Sequence, residues 1–394
     1  MNQILRKSPN DVVLTHLTRT ALTRAKKGGF KDTCSDTLLS LFLSKSLPID
    51  KSQVDEVHIG TCHAPSPVYE SRAALLAAKF PDNIPVQTHN TLCSSGLMAL
   101  RNASNSIARG EVDVALAVGY ESMSTRPRPT PIFESNLILQ SEKALDCAKP
   151  MGWTSEMLAE RFKVSREKQD EYGLLSHTRA SAAQKNGVFT REITPLTTNV
   201  LNKETNNVTE TTVSEDDGIR HGLAMEQMKK AKPAFPEWGD SLSTGPNSSQ
   251  VTDGAALAVL MSRKKAEELG AKIVGRHIGS CLVGVEPKIM GVGPVYAIPK
   301  LLERFGLQSK DIDLFEINEA FGSMYAYCVE TLGLDINRVN VNGGAIALGH
   351  PLGATGVRQV VTGVNAFEGE KEKLLITSMC VGSGMGGSAL FVTE

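Results

Sequence analysis

The chain has 394 residues, too many for one small core, and reads as two or three packed units that bury apolar surface without disulfide staples. Its 42 basic and 43 acidic residues nearly cancel, which excludes a global field for nucleic acid or an anionic membrane and leaves any polyanionic ligand to local charges. Seven widely spaced cysteines, an odd number with no C-x-x-C pair, point to a reducing compartment and away from a zinc site.

The first strand-like run, Asp11–Leu14, follows about ten residues, little room for a cleavable leader. No apolar run approaches the roughly 20 residues of a membrane helix, so no membrane insertion is expected. From Val54 the chain reads Val-Asp-Glu-Val-His-Ile-Gly, a short strand, and a loop carrying Cys93 follows 38 residues after Asp55. Ser94–Arg109 is helix-compatible, and Asp113–Val118 is a further strand. Between about Ser124 and Pro246 the chain turns more polar, with an Asn- and Thr-rich stretch from Thr197, and reads as an inserted loop domain. From Ile312 an echo begins: Ile-Asp-Leu-Phe-Glu-Ile-Asn is followed by His350, 37 residues after Asp313, and then by the strand Leu374–Cys380.

The echo predicts two duplicated α/β halves. The division is 1–123 for the first half, 124–246 for the insertion, and 247–394 for the second half, which includes a return to the first core at about 247–270. If the halves pack about a pseudo-twofold, their loops meet where the strands end, the place where open α/β sheets bind ligands.

Cys93, at the start of a helix-compatible segment, sits where unpaired N–H groups and the helix dipole favour a thiolate, although a half-buried structural cysteine fits equally. His350 lies in Gly343-Gly-Ala-Ile-Ala-Leu-Gly-His-Pro-Leu-Gly-Ala-Thr-Gly, where Pro351 biases its backbone to the extended region. It is a candidate base for the Cys93 thiol, or a hydrogen-bonded loop histidine. Cys380 ends a strand and enters a glycine-rich turn, where a second thiol could shuttle a proton. That turn contains Gly382-x-Gly384-x-x-Gly387, but the seven residues after it cannot build the helix and strand of a dinucleotide site. Asn318 is either an oxyanion or water ligand or the cap of the next helix.

Cys93-Ser-Ser-Gly, Asn318-Glu-Ala-Phe, Gly349-His-Pro and Cys380-Val-Gly-x-Gly resemble, in order, the four active-site blocks of the thiolase family. Met151-Gly-x-Thr-Ser-Glu, Asn247-Ser-Ser-Gln-Val-x-Asp-Gly and Ile289-Met-Gly-Val-Gly-Pro-x-Tyr look like its peroxisomal 3-ketoacyl-CoA branch. The resemblance runs from about Asp11 to the C-terminus. It implies a five-layered αβαβα core with an inserted loop domain, and ping-pong thiolysis of 3-ketoacyl-CoA in β-oxidation. By the same resemblance His350 activates Cys93 as the acyl acceptor and Cys380 is the second acid–base. One oxyanion hole uses His350 with a water held by Asn318, the other the N–H groups of Cys93 and Gly382. Coenzyme A is the co-substrate, with no tightly bound cofactor and no metal. Arg220 meets its nucleotide end and Ser249 its pantetheine, while Met151 and Met290 flank the acyl-binding region. A homodimer or homotetramer in the peroxisome is implied. The Ser-Lys-Leu address is absent and no amino-terminal nonapeptide signal fits, so import alongside a partner, or a cytoplasmic location, is the alternative.

Three departures from the family pattern stand out: Asn90-Thr91-Leu92 where Asn-Arg-Gln is usual, Pro246 in Thr244-Gly-Pro-Asn247 where glycine is usual, and Ala354 where cysteine is usual. Two other activities compete, a biosynthetic acetoacetyl-CoA thiolase and a condensing enzyme; the latter normally pairs its cysteine with two histidines, or with a histidine and an asparagine. A catalytically impaired acyl-CoA- or lipid-binding protein is the remaining reading.

Overall fold

In the computed structural model, which describes residues 2–202 and 204–394, the β-branched runs of the sequence become strands in two groups of matching order. The first group holds β1 (Val12–Arg19), the short β2 (Thr23–Arg24), β3 (Glu56–Gly60), β4 (Val86–His89) and β5 (Val114–Ser122). A separate hairpin, β6 (Leu196–Leu201) and β7 (Val208–Val213), follows. The chain then forms β8 (Thr252–Ser262), β9 (Gly275–Gly284), β10 (Leu314–Ile317), β11 (Leu374–Val381) and β12 (Met385–Thr393).

The large sheet runs β4-β3-β5-β8-β1 and then β9-β12-β11-β10, with β2 paired to β8. In each half a parallel pair (β3–β5, β10–β11) is followed by an antiparallel one (β5–β8, β11–β12). Val339, bridged in parallel to Phe315, occupies in the second half the place that β4 holds in the first. The two halves meet edge to edge through only two register pairs, Val13–Arg276 and Leu14–Gly275. The aspartates of the echo do the same work twice. Asp55 Oδ2 accepts the N–H groups of Asp113 and Val114 at the start of β5, and Asp313 Oδ2 accepts that of Leu374 at the start of β11.

Between the halves lie two helices, Ser95–Ala108 and Leu352–Asn365; every residue from Gly353 to Val364 is buried, including Arg358, paired with Glu316 at 3.2 Å, and Gln359, which donates to the Glu316 and Ser378 carbonyls. Helices Ser35–Lys45 and Pro67–Ala77 cover the outer face of the first half, and Gly293–Phe305 and Gly322–Thr331 that of the second, which completes five αβαβα layers. The central helices touch at glycines. A Cβ on Gly96 would sit 2.5 Å from the Gly353 carbonyl oxygen, and one on Gly356 would lie 2.8 Å from Leu97 Cβ. Helix starts that carry side chains could not approach this closely.

Among the described residues, 123–251 contribute no strand to the large sheet; they carry helices Met151–Phe162 and Arg166–Lys185 and the β6–β7 hairpin. The Asn- and Thr-rich stretch read as loop is thus paired structure. Its β-branched threonines suit strands, and Leu196 and Thr198 bury one face of the hairpin. A fully buried Arg19 fastens this region to β1, donating to Glu192 at 2.8 Å and, as a fork, to Asp216 at 2.7 and 2.8 Å. Removing one partner of such a buried pair costs about 3–5 kcal/mol. No described helix is long and apolar enough to cross a membrane.

Candidate active site

A cavity of about 860 Å³ opens where the strands of both halves end, and Cys93, His350 and Cys380 all line it. Met151, Met290, Arg220 and Ser249 also line it, so the residues named from sequence come together. Asn318 and Gly382 lie behind that lining and reach it through hydrogen bonds to the other groups.

Cys93 follows β4 in a tightly held loop. Leu92 adopts φ 49°, a left-handed conformation that costs a bulky residue about 1–3 kcal/mol. Its carbonyl accepts from Ser95 Oγ (2.6 Å) and Cys62 Sγ (2.9 Å), while the Thr91 N–H donates to Ser95 Oγ. These bonds hold the altered Thr91-Leu92 pair in place. Burial pushes the Cys93 thiol up from its ordinary value, opposed by the N–H groups of Gly382 and of Cys93 itself and by the Arg128 charge. The helix start therefore does not make a resting thiolate, as the sequence suggested; burial wins, and the group is a thiol that needs a base.

His350 is aimed by its surroundings. Gly349 has φ 105°, and a Cβ there would meet Thr252, whose hydroxyl accepts the His350 N–H at 3.2 Å. The Thr355 hydroxyl, at 2.6 Å from His350 Nδ1, gives its own proton to the Pro351 carbonyl. It must therefore accept, which places the imidazole proton on Nδ1 and the lone pair on Nε2. Burial, seconded by the Arg358 charge, lowers His350 to about 3, so the ring is neutral. Asn318 Nδ2 donates to Nε2 at 3.3 Å. Asn318 does not cap a helix, because the next one begins at Gly322 with Phe321 as its cap.

Cys380 is the penultimate residue of β11, fully buried, with Sγ 3.2 Å from Met324 Sδ. Burial first, then the neighbouring Cys93, pushes its thiol well above the ordinary range, so it holds its proton. Beneath the site Glu121 accepts the N–H groups of Cys62, His63 and Gly353 at 2.9–3.0 Å, tying the loop after β3 to the turn that carries His350.

Several lining residues escaped the sequence reading: Arg24 at the end of β2, Lys26 and Lys27 just after it, and His63, Arg128 and Phe235. Only the run of basic residues from Arg24 to Lys27 offered a signal. Ser249 is fixed by its N–H on the Ala320 carbonyl, and the exposed Arg220 by its N–H on His177 Nδ1. The Pro246 turn is closed by Thr244 N–H on Asn247 Oδ1 at 2.7 Å, and Ala354 is fully buried in the central helix. No group of metal-ligating side chains occurs among the described residues.

The layered fold and this cavity define an acyltransferase built from two duplicated α/β halves. The chain belongs to the thiolase family: the Thiolase, N-terminal domain matches residues 12–264 and the Thiolase, C-terminal domain residues 271–393. It is 46% identical over 389 residues to 3-ketoacyl-CoA thiolase A, peroxisomal, of Mus musculus, covering 98% of this chain and 91% of that one. Its identity to 3-ketoacyl-CoA thiolase, peroxisomal, of Homo sapiens is 45%, with the same coverage. The dimeric peroxisomal thiolase of Saccharomyces cerevisiae superposes with a TM-score of 0.91 at 40% identity over 100% of both chains.

Proposed function

We propose that this chain is a 3-ketoacyl-CoA thiolase that cleaves 3-ketoacyl-CoA with coenzyme A into acetyl-CoA and an acyl-CoA two carbons shorter. The observation that carries the reading is the meeting of Cys93 from the first half with His350 and Cys380 from the second, in one cavity, with the Gly382 N–H on the Cys93 sulfur.

His350 Nε2 takes the Cys93 proton, and the thiolate attacks the 3-keto carbon. The C2–C3 bond breaks, its electron pair passes to C2, and the Cys380 thiol protonates that carbon; acetyl-CoA leaves. Cys380 then takes the thiol proton of a second coenzyme A, whose sulfur attacks acyl-Cys93. The bond to Cys93 breaks and His350 returns the proton to it. The N–H groups of Cys93 and Gly382 face one developing oxyanion, and His350 with Asn318 faces the other. The cations Arg24, Lys26, Lys27 and Arg220 meet the phosphates of coenzyme A, with Ser249 beside the pantetheine. Among the described residues no second imidazole bonds His350, which favours this reading over a condensing enzyme.

The protein works as a homodimer in the peroxisome, the state and compartment named for its relatives. A tetramer and entry alongside an import partner are the finer proposals. Incubation with acetoacetyl-CoA, followed by peptide mass spectrometry, is expected to give an acetyl group on Cys93 that free coenzyme A removes. An unmodified Cys93 together with absent thiolysis refutes the activity.

A further inference from the structure

His63, Arg126 and Arg128 stand near Cys93 with no task in the thiolysis just described. His63, directly after Cys62, lines the cavity, and its N–H is fixed on Glu121 Oε1. Its Nδ1 lies 3.2 Å from the Arg126 carbonyl oxygen, which can only accept, so Nδ1 carries a proton. Among the described residues, Nε2 has no partner. Arg128 also lines the cavity; its Nη2 donates to the carbonyls of Ala148 (3.4 Å) and Lys149 (3.3 Å), and no described carboxylate pairs with it. Arg126 likewise has no described ion partner, and its Nε is buried without a hydrogen bond.

Glu121, the nearby acid, makes no ion pair with Arg126 or Arg128 among the described residues. Glu121 is 1% exposed and already accepts the N–H groups of Cys62, His63 and Gly353 and the Thr61 hydroxyl. The wall of His63 and Arg128 is distinct from the cations assigned to coenzyme A, which come from the end of β2 and the loop after it and from Arg220. Arg128 is close enough to Cys93 for its charge to act on the thiol. A guanidinium fork with free N–H groups, beside an unpartnered imidazole nitrogen, suits a carboxylate.

We propose that the preferred substrates are 3-ketoacyl-CoA thioesters whose acyl chain ends in a carboxylate, gripped by Arg128 with His63. This deepens the thiolase reading and rests on it for the chemistry, whereas the grip itself concerns binding. A chain ending in a methyl group leaves the guanidinium and the imidazole to water, so the two chain types separate by affinity.

The test is calorimetric titration of the full-length protein with adipyl-CoA and with hexanoyl-CoA, which share six acyl carbons and differ in the terminal carboxylate. Adipyl-CoA is expected to bind at least about tenfold more tightly, as one charge-assisted contact allows. The preference should shrink to about twofold or less in Arg128→Gln, weaken in His63→Leu and partly return in Arg128→Lys. Equal affinities in the wild type, or a preference that survives both Arg128→Gln and His63→Leu, overturn the proposal. A parallel comparison of 3-ketoadipyl-CoA and 3-ketohexanoyl-CoA as thiolysis substrates separates the two readings. If neither is cleaved while the binding preference holds, the thiolase chemistry fails and the carboxylate site stands.

Discussion

Replacing Thr355 by valine tests how His350 is held. The side chain keeps its shape and stays buried, but the acceptor 2.6 Å from Nδ1 disappears, and at 0% exposure no solvent replaces it. A bond to a neutral donor contributes about 0.5–1.5 kcal/mol and one to a charged donor about 1.5–3. When His350 takes the Cys93 proton, the Nδ1–H bond passes from the first class to the second. The difference, about 1–1.5 kcal/mol, is felt only as the reaction proceeds and predicts a fall in kcat of roughly five- to tenfold. The loss also frees the proton to move to Nε2, which silences the base and deepens the fall toward about a hundredfold. Steady-state thiolysis of acetoacetyl-CoA measures this, with Thr355→Ser as the variant that restores the acceptor. A Thr355→Val enzyme of unchanged Tm with kcat within about twofold of wild type would refute the assignment of the Nδ1 proton and its partner.

Cys380→Ala removes a protonated thiol and should lower thiolysis by at least about a hundredfold, the usual scale of acid–base catalysis, while Cys93 still reacts with iodoacetamide. Loss of that labelling would mean that the change damaged the Cys93 loop instead. Gly356→Ala forces a methyl group against Leu97 at the helix contact; a loss of about 1–3 kcal/mol in urea unfolding is expected, and an unchanged midpoint contradicts it. Buried His177 and His277 are lowered to about 4 and His350 to about 3, from 6.5. Because the folded state resists protons that the unfolded chain accepts, stability is retained above pH 6.5 and falls between there and about pH 4. At pH 5 each contributes a loss of about 2 kcal/mol relative to pH 8. Glu316, pushed up to about 8 by burial, works in the opposite sense over pH 8 to 4.5. Urea midpoints at pH 8, 6 and 5 should therefore drop less for His277→Gln than for wild type; equal drops remove His277 from the account.

Much of the fold was legible because the duplication repeats its chemistry as well as its hydrophobic pattern. Asp55 and Asp313 could be matched in sequence, and both prove to fasten the start of the next strand. Cys93 and His350 were legible as positions, each just ahead of a central helix, but their protonation was not. The helix-end argument favours a thiolate, whereas the cost of burial depends on everything packed around Cys93 and appears only in three dimensions. Thr355 was missed for a related reason: five residues after His350, it gives no sign in one sequence that a hydroxyl, and not a carboxylate, orders the ring. His63 and Arg128 sit on loops 65 residues apart, and only the folded chain shows that they line one cavity. The β6–β7 hairpin was hidden by its polarity, since an exposed strand pair of threonines and asparagines carries little hydrophobic signal.

The narrow seam between the halves has a consequence for how this enzyme can fail. Two register pairs fix so little of the relative placement that the alignment of Cys93 with His350 and Cys380 rests on glycine-lined helix packing. The reacting groups thus behave like residues drawn from two subunits that happen to share a covalent chain. Small changes far from the cavity, along Gly96, Gly353 and Gly356, would misalign the catalytic groups while both sheets stayed folded. Inactive variants with ordinary far-ultraviolet spectra should therefore cluster along that seam.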